Sequence, residues 1–370
     1  MSSGRMDPAR WAGSVAVYYR PPRRAELADC ALVWYSAVDD YMARLGRPLP
    51  SPYLDPLMAL FDHLLTTDPE RFLVAARQPE PSSSDAGSHA KEQVIGFGIA
   101  AQRENVWFLS QLYVLPSEQR HGIGHALLSR ILPSLPSSLP GGSGPGDSGA
   151  GEITATTATT ATTAANDLAP EQAPGPTPEL RLGVLATCTD SAQPASSGLY
   201  ARYGMVARMP VFNLVGTPKT PSVLPPLPSG IEVVTFGLTD PSAAIDAIDR
   251  KVLGFAHPLD HRHLRASGRT GFLYRASGGE PIGYGYSSEA GRFGPVALLD
   301  DTLMAPVLGH LIAAIKPRGA TSAWVPGAND RAMVALLRAG LRIEGFPALL
   351  GWTRPFGAFD RYLPASLALL

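Results

Sequence analysis

Residues 106–132, VWFLSQLYVLPSEQRHGIGHALLSRIL, constrain the fold more than any other stretch of this chain. Val106–Leu115 is apolar almost throughout, as a central strand covered on both faces is. Its one polar break is Ser110-Gln111. A short turn follows, and then an amphipathic helix. Gly122 and Gly124 stand where that helix begins, although glycine costs a helix interior roughly 0.5–1 kcal/mol against alanine. A plain tight turn is one reading. The other is an anion resting on exposed backbone N–H groups at the positive end of the helix.

The chain's 370 residues exceed what one hydrophobic core usually supports, so two domains are expected. A net charge of −1 gives no electrostatic case for nucleic acid or an anionic membrane. Cys30 and Cys188 are too few for a disulfide framework and lack metal-site spacing, so both read as core residues. No signal peptide or membrane span is legible, which makes a cytoplasmic setting the expectation. Three stretches read as loops or linkers. They are the polar segment 79–92, the low-complexity insert 133–178, which is expected to be disordered, and the proline-rich 217–229. Helical and strand patterns alternate between them. VIGFG at 94–98 recurs as PIGYG at 281–285, and QPASSGLYARYGM from Gln193 recurs as NDRAMVALLRAGL from Asn329. These pairs point to an internal duplication.

The turn fails two nucleotide-binding fingerprints. Leu127 occupies the place of the third small residue of a dinucleotide fold, and a phosphate loop's Gly-Lys-Ser/Thr is absent. What remains, Gln119-Arg120-His121-Gly122-Ile123-Gly124 after a buried strand, resembles the acetyl-CoA signature of the GNAT N-acetyltransferase superfamily, Gln/Arg-x-x-Gly-x-Gly/Ala. The resemblance covers residues from about 15 to 216 and, more weakly, 230 to 355. The whole resembles a bacterial-type tandem-GNAT protein.

The resemblance implies an α+β fold of two tandem acyl-CoA N-acyltransferase domains, each a mixed, mostly antiparallel sheet flanked by helices. Their expected bounds are 14–216 and a degenerate 230–355, with a tail at 356–370. It implies acetyl-CoA as co-substrate, no metal, and a small-molecule or peptide amine as acceptor, with neither nucleic acid nor membrane as partner. Nothing in the residues speaks to oligomeric state. The cofactor-binding residues would be Leu112, Val114, Gln119, Arg120, His121, Gly122, Ile123, Gly124 and His125. A backbone N–H near Val114 would hold the oxyanion.

Tyr200 keeps the family's tyrosine, though Gln193 and Ser196 replace its usual Asn and Ala. By resemblance it would protonate the leaving thiolate. Reference pKa values of about 10 and about 8.5 make full transfer uphill by about 2 kcal/mol, so a proton shared in the transition state fits better. Packing at a domain surface is the other reading of Tyr200, and Tyr203 is a second candidate for the acid. The family's strand glutamate is missing at Ser110-Gln111, leaving a water chain or Asp39 or Asp40 as base. HPLDHRH, with His257, Asp260, His261 and His263, reads as a solvated helix cap, with a metal site or a binding surface as alternatives. In the second half Asp300 and Asp301 stand where phosphates would lie, and Leu336 replaces the tyrosine. Two functions stay open: N-acetyltransfer to a small amine, and a non-catalytic acyl-CoA sensor or scaffold.

Overall fold

A computed structural model describes residues 16–78, 92–133, 183–218, 223–237 and 242–370. The expectations for 79–92 and 133–178 fall almost wholly outside these residues. The first half runs β1 (Val17–Arg20), α1 (Leu27–Arg44), α2 (Asp55–Thr67), β2 (Phe72–Arg77), β3 (Gln93–Arg103), β4 (Val106–Val114), α3 (Ile123–Ile131), β5 (Val184–Asp190), α4 (Pro194–Ala201) and β6 (Val206–Gly216). The second runs β7 (Glu232–Phe236), α5 (Ser242–Val252), α6 (Pro258–Ala266), β8 (Thr270–Arg275), β9 (Pro281–Ser287), β10 (Val296–Leu298), α7 (Met304–Ala314), β11 (Thr321–Pro326), α8 (Asp330–Arg338), β12 (Arg342–Ile343), β13 (Ala348–Trp352) and β14 (Tyr362–Leu363). Apart from the added two-residue β12, the second half through β13 repeats the element order of the first. The matched glycines after α4 and α8, Gly204 and Gly340, both have positive φ.

Among the described residues the strands form two sheets. One is nine-stranded, ordered β1-β2-β3-β4-β5-β13-β6-β11 with β12 also on β6. The other is ordered β14-β10-β9-β8-β7. Each repeat places its last strands in the other's territory: β13 lies between β5 and β6, and β6 in turn pairs with β11. The proline-rich linker therefore divides neither the large sheet nor its core. The largest buried cluster draws Phe108 and Ala186 together with Leu253, Tyr284 and Tyr362.

Helices cover both faces of the first sheet. Leu27 and Val33 of α1 and Phe61 of α2 pack with Phe72 and Phe97 on one face. Leu128 and Ile131 of α3 pack with Trp107, Leu109 and Tyr200 on the other. The chain is continuous apolar here because both faces are buried, as its pattern implies. The halves are also joined by buried charge. The Arg103 guanidinium on β3 donates to both Asp260 oxygens on α6, at 2.7 and 2.8 Å, and to Asp68 at 2.8 Å. His63 of α2 lies 2.8 Å from the same Asp260.

Candidate functional site

The register of β4 against β3 slips between Ile99 and Ala100, leaving Ser110 as an extra residue. This bulge reverses the alternation of faces. Trp107 and Leu109 face α3 and α4, and past the bulge Leu112 takes that face while Tyr113 packs toward α1. The polar break in the sequence is thus the bulge itself.

At the same place the sheet opens. β4 and β5 pair in parallel only from Val106↔Val184 to Leu109↔Thr187, and beyond that β5 pairs with β13 alone. The end of β4 therefore has an unpaired edge. Leu115 donates its N–H to the Ile95 carbonyl at 2.9 Å. Antiparallel alternation then turns the N–H groups of Tyr113 and Gln111 toward β3, and those of Leu112 and Val114 toward the opening. The Val114 carbonyl is held by the Gln119 amide at 3.1 Å.

The turn after β4 holds two left-handed residues, Arg120 at φ 66° and Gly122 at φ 79°. A Cβ at Gly122 would meet nothing within 4 Å, so glycine is required there by backbone conformation rather than by space. At Gly124 a Cβ would sit 3.9 Å from Val114 Cγ2 and 4.0 Å from Leu199 Cδ2, which is ordinary contact. Among the described residues no backbone carbonyl accepts the N–H groups of residues 120–125. Such a row at a helix start is a ready anion site. Gln119, Arg120, His121 and His125 are exposed around it, while Ile123 is buried and anchors the helix to the sheet. The ion pair of Arg77 with Glu118 fixes the start of the turn.

Tyr200 is buried beneath Leu109 and Leu185. Burial pushes its hydroxyl well above the usual phenol range, the nearby Tyr113 adds to this, and a hydrogen bond with Ser196 opposes it. Tyr203 is committed elsewhere, with its hydroxyl 2.9 Å from His125 Nδ1.

Two residues that sequence reasoning missed complete the opening. The Tyr41 hydroxyl on α1 donates to Asp190 Oδ2 at 2.9 Å, and Asp190 Oδ1 accepts the Ala192 N–H at 2.8 Å. Burial pushes the Tyr113 hydroxyl up to about 12, with Asp190 and Cys188 adding to the shift. Phenol hydroxyls from α1 and β4 thus lie near one carboxylate at the end of β5. The bases expected from sequence are used otherwise: Asp39 accepts the Leu49 N–H at 2.8 Å, and Asp40 pairs with Arg44.

The second half lacks this arrangement. Where β5 would follow β4, β10 is lined instead by β14, with Val296↔Leu363 and Ala297↔Tyr362 paired. Asp300 accepts the Thr302 N–H at 2.9 Å and so caps the helical start that would meet phosphates. Asp301 pairs with Arg331. Leu336 is fully buried at the tyrosine position.

HPLDHRH is not a solvated cap. His257, Asp260 and His261 are all buried, while His263 stacks on His63 with centroids 4.4 Å apart. The packing of α6 against α2 and β9 puts this helix start inside the protein, which a local pattern does not reveal.

Residues 36–137, from within α1 through the glycine turn and α3, match the family described as acetyltransferase (GNAT) family. Among solved structures, a candidate acetyltransferase from Pyrococcus horikoshii is 14% identical, aligns over 95% of this chain and 95% of its own, and gives a TM-score of 0.60. A GCN5-related N-acetyltransferase from Sphaerobacter thermophilus is 13% identical over 92% of this chain and 96% of its own, with a TM-score of 0.52. At such identities the likeness is one of fold. No curated protein matches the chain. No helix among the described residues is long and apolar enough to cross a membrane.

Proposed function

We propose that this chain, whose residues 36–137 match the acetyltransferase (GNAT) family, transfers an acetyl group from acetyl-CoA to a primary amine of a small molecule. One observation carries the reading: an unspent row of N–H groups at residues 120–125 lies directly beyond the unpaired edge of β4.

The pyrophosphate rests on the N–H row, with Gln119, Arg120, His121 and His125 at its rim. The pantetheine arm lies along β4 as an added strand, which suits an edge with unpaired N–H groups. Its amide groups and the thioester meet the N–H groups of Leu112 and Val114. The one nearer the reacting carbonyl holds the oxyanion, and a preorganised donor of this kind is worth about 3–4 kcal/mol in the transition state.

The acceptor enters from the α1 side, where Asp190 and Tyr41 receive it. Each Asp190 oxygen already takes one hydrogen bond and keeps a further lone pair, so the carboxylate can also bind an ammonium. After loss of a proton to water, the amine nitrogen attacks the thioester carbon. The C–S bond then breaks, and Tyr200 shares its proton with the departing sulfur. The raised Tyr200 pKa keeps the phenol protonated at neutral pH and makes outright transfer costly, which favours a shared proton.

Thiol release from acetyl-CoA against a panel of amines tests the reading, with Tyr200→Phe beside the wild type. The substitution keeps the ring, so CoA affinity should hold within a few-fold while turnover falls by about 10²–10⁴. Unchanged turnover in Tyr200→Phe would remove Tyr200 as the acid. Tight CoA binding without thiol release from any amine would replace catalysis by an acyl-CoA sensor.

A further inference from the structure

Three buried side chains of the second half converge on one point. They are Asp249 on α5, His257 just before α6 and His261 on α6, and their donor atoms all lie within 4.8 Å of one another. Asp249 Oδ2 is 2.9 Å from His261 Nε2 and 3.3 Å from His257 Nε2. Their surroundings aim these atoms at each other. Tyr284 donates to the other Asp249 oxygen, and the Tyr286 hydroxyl lies 3.1 Å from His261 Nδ1.

The cluster is incomplete as an ordinary polar core. His257 is 0% exposed, its Nδ1 is buried without a hydrogen-bond partner, and its Nε2 reaches Asp249 Oδ2 only at 3.3 Å. The Tyr362 hydroxyl, in the same core, is buried and equally unpartnered. Leaving a buried polar group unsatisfied is uncommon because its desolvation is not recovered. Asp249 is itself fully buried, and among the described residues no lysine or arginine forms an ion pair with it.

We propose that Asp249, His257 and His261 form a binding site for a divalent transition-metal ion, and that zinc is the ion that fits. Two imidazole nitrogens and one carboxylate oxygen are a zinc donor set. Tetrahedral coordination with bonds near 2.0–2.1 Å sets neighbouring donors about 3.3–3.4 Å apart, close to the 3.3 Å between Asp249 and His257 and somewhat wider than the 2.9 Å between Asp249 and His261. The outer contacts fit as well. His261 Nδ1 lies 3.1 Å from the Tyr286 hydroxyl, which turns its Nε2 toward Asp249, and His257 Nε2 faces the same carboxylate oxygen at 3.3 Å. The ion would neutralise Asp249, bind His257 Nε2 and fasten α5 to the start of α6.

The test uses the full chain, purified without chelator or metal-affinity tag. Elemental analysis should find about one zinc per chain. After zinc is stripped, cobalt(II) should give tetrahedral visible absorption that saturates at one equivalent, and zinc should raise Tm. His257→Gln and His261→Gln should each weaken the metal affinity by more than about 100-fold. His263→Gln, outside the triad, should leave it unchanged. If the ligand variants do not fold, the cobalt titration of the stripped wild type decides alone. A chain isolated without metal that neither colours with cobalt nor gains stability from zinc overturns the proposal. So does metal binding that survives both ligand substitutions.

Discussion

Arg103→Met should be the most damaging single substitution that leaves the candidate site untouched. The guanidinium is buried and makes four charge-assisted bonds of 2.7–2.8 Å: two to Asp260, one to Asp68 and one to the Gln102 carbonyl. Methionine matches its apolar stem, so the loss is electrostatic rather than a cavity. What stays behind decides the size. Asp68 keeps the Gln102 N–H at 2.9 Å and a looser contact with Arg71 at 3.6 Å, and is partly compensated. Asp260 keeps only the imidazoles of His63 at 2.8 Å and His257 at 3.8 Å, with no arginine or lysine in place of the lost one among the described residues. Removing one partner of a buried pair costs about 3–5 kcal/mol, chiefly through the carboxylate left in the interior. Because one bond set joins β3 to α6, the loss should appear as weaker docking of the second half. Urea unfolding followed by circular dichroism should show this deficit, and limited proteolysis should cut sooner within α5–α6. Arg103→Lys should fall between, since an ammonium keeps the charge but not the two-pronged grip on Asp260. A loss below about 1 kcal/mol for Arg103→Met would refute the reasoning and rank the pair with surface salt bridges.

Three further outcomes follow from the geometry. Gly122→Val puts a β-branched residue at φ 79° and should cut CoA affinity at least tenfold by calorimetry, whereas Gly124→Ala should stay within about threefold because its Cβ meets only ordinary contacts. Asp190→Asn keeps an oxygen for the Tyr41 hydroxyl but removes the charge, so the KM for the amine should rise about tenfold with CoA affinity unchanged; equal KM values would place the acceptor elsewhere. Arg20, by hydrogen bonding, lowers the Glu26 carboxyl from 4.5 to about 2 against the opposing effect of burial. Its folded pKa is the lower one, so this stabilisation is present above about pH 4.5 and fades as pH falls toward 2. It amounts to at most about 3 kcal/mol before solvent screening, and in Arg20→Met an acid titration of Tm should lose this part of its slope.

Local chemistry was legible in the sequence and long-range pairing was not. The strand, the glycine turn and the helix after it follow from hydrophobic period and the needs of positive φ, and they occur where the residues place them. Ser110-Gln111 was visible as a polar break, yet only the register against β3 shows that Ser110 is a bulge that turns Leu112 and Tyr113 to opposite faces. Tyr41 and Asp190 are 149 positions apart, so no pattern along the chain joins them. HPLDHRH misled because spacing speaks to capping and not to burial. Its partner Asp249 lies on the preceding helix, outside the quoted motif. The strand exchange between repeats was likewise hidden, since β13 has the same local pattern whichever sheet receives it.

That exchange gives the second half a role despite its lost anion turn. The opening beside β4 exists only if β5 diverges and stays there, and a strand left with one free edge has little to hold it. β13 supplies the hold. Asp190, Thr189 and Cys188 pair with Ala348, Leu349 and Leu350 just where β4 has ceased to pair. The Ser191 N–H donates to the Pro347 carbonyl at 3.1 Å, and Thr353 Oγ1 accepts the Leu185 N–H at 3.0 Å, so both ends of β5 are tied to the same segment. Asp190, on which the acceptor proposal depends, therefore rides on a strand positioned by the second half. A repeat without the glycine turn still fixes the far wall of the opening beside β4.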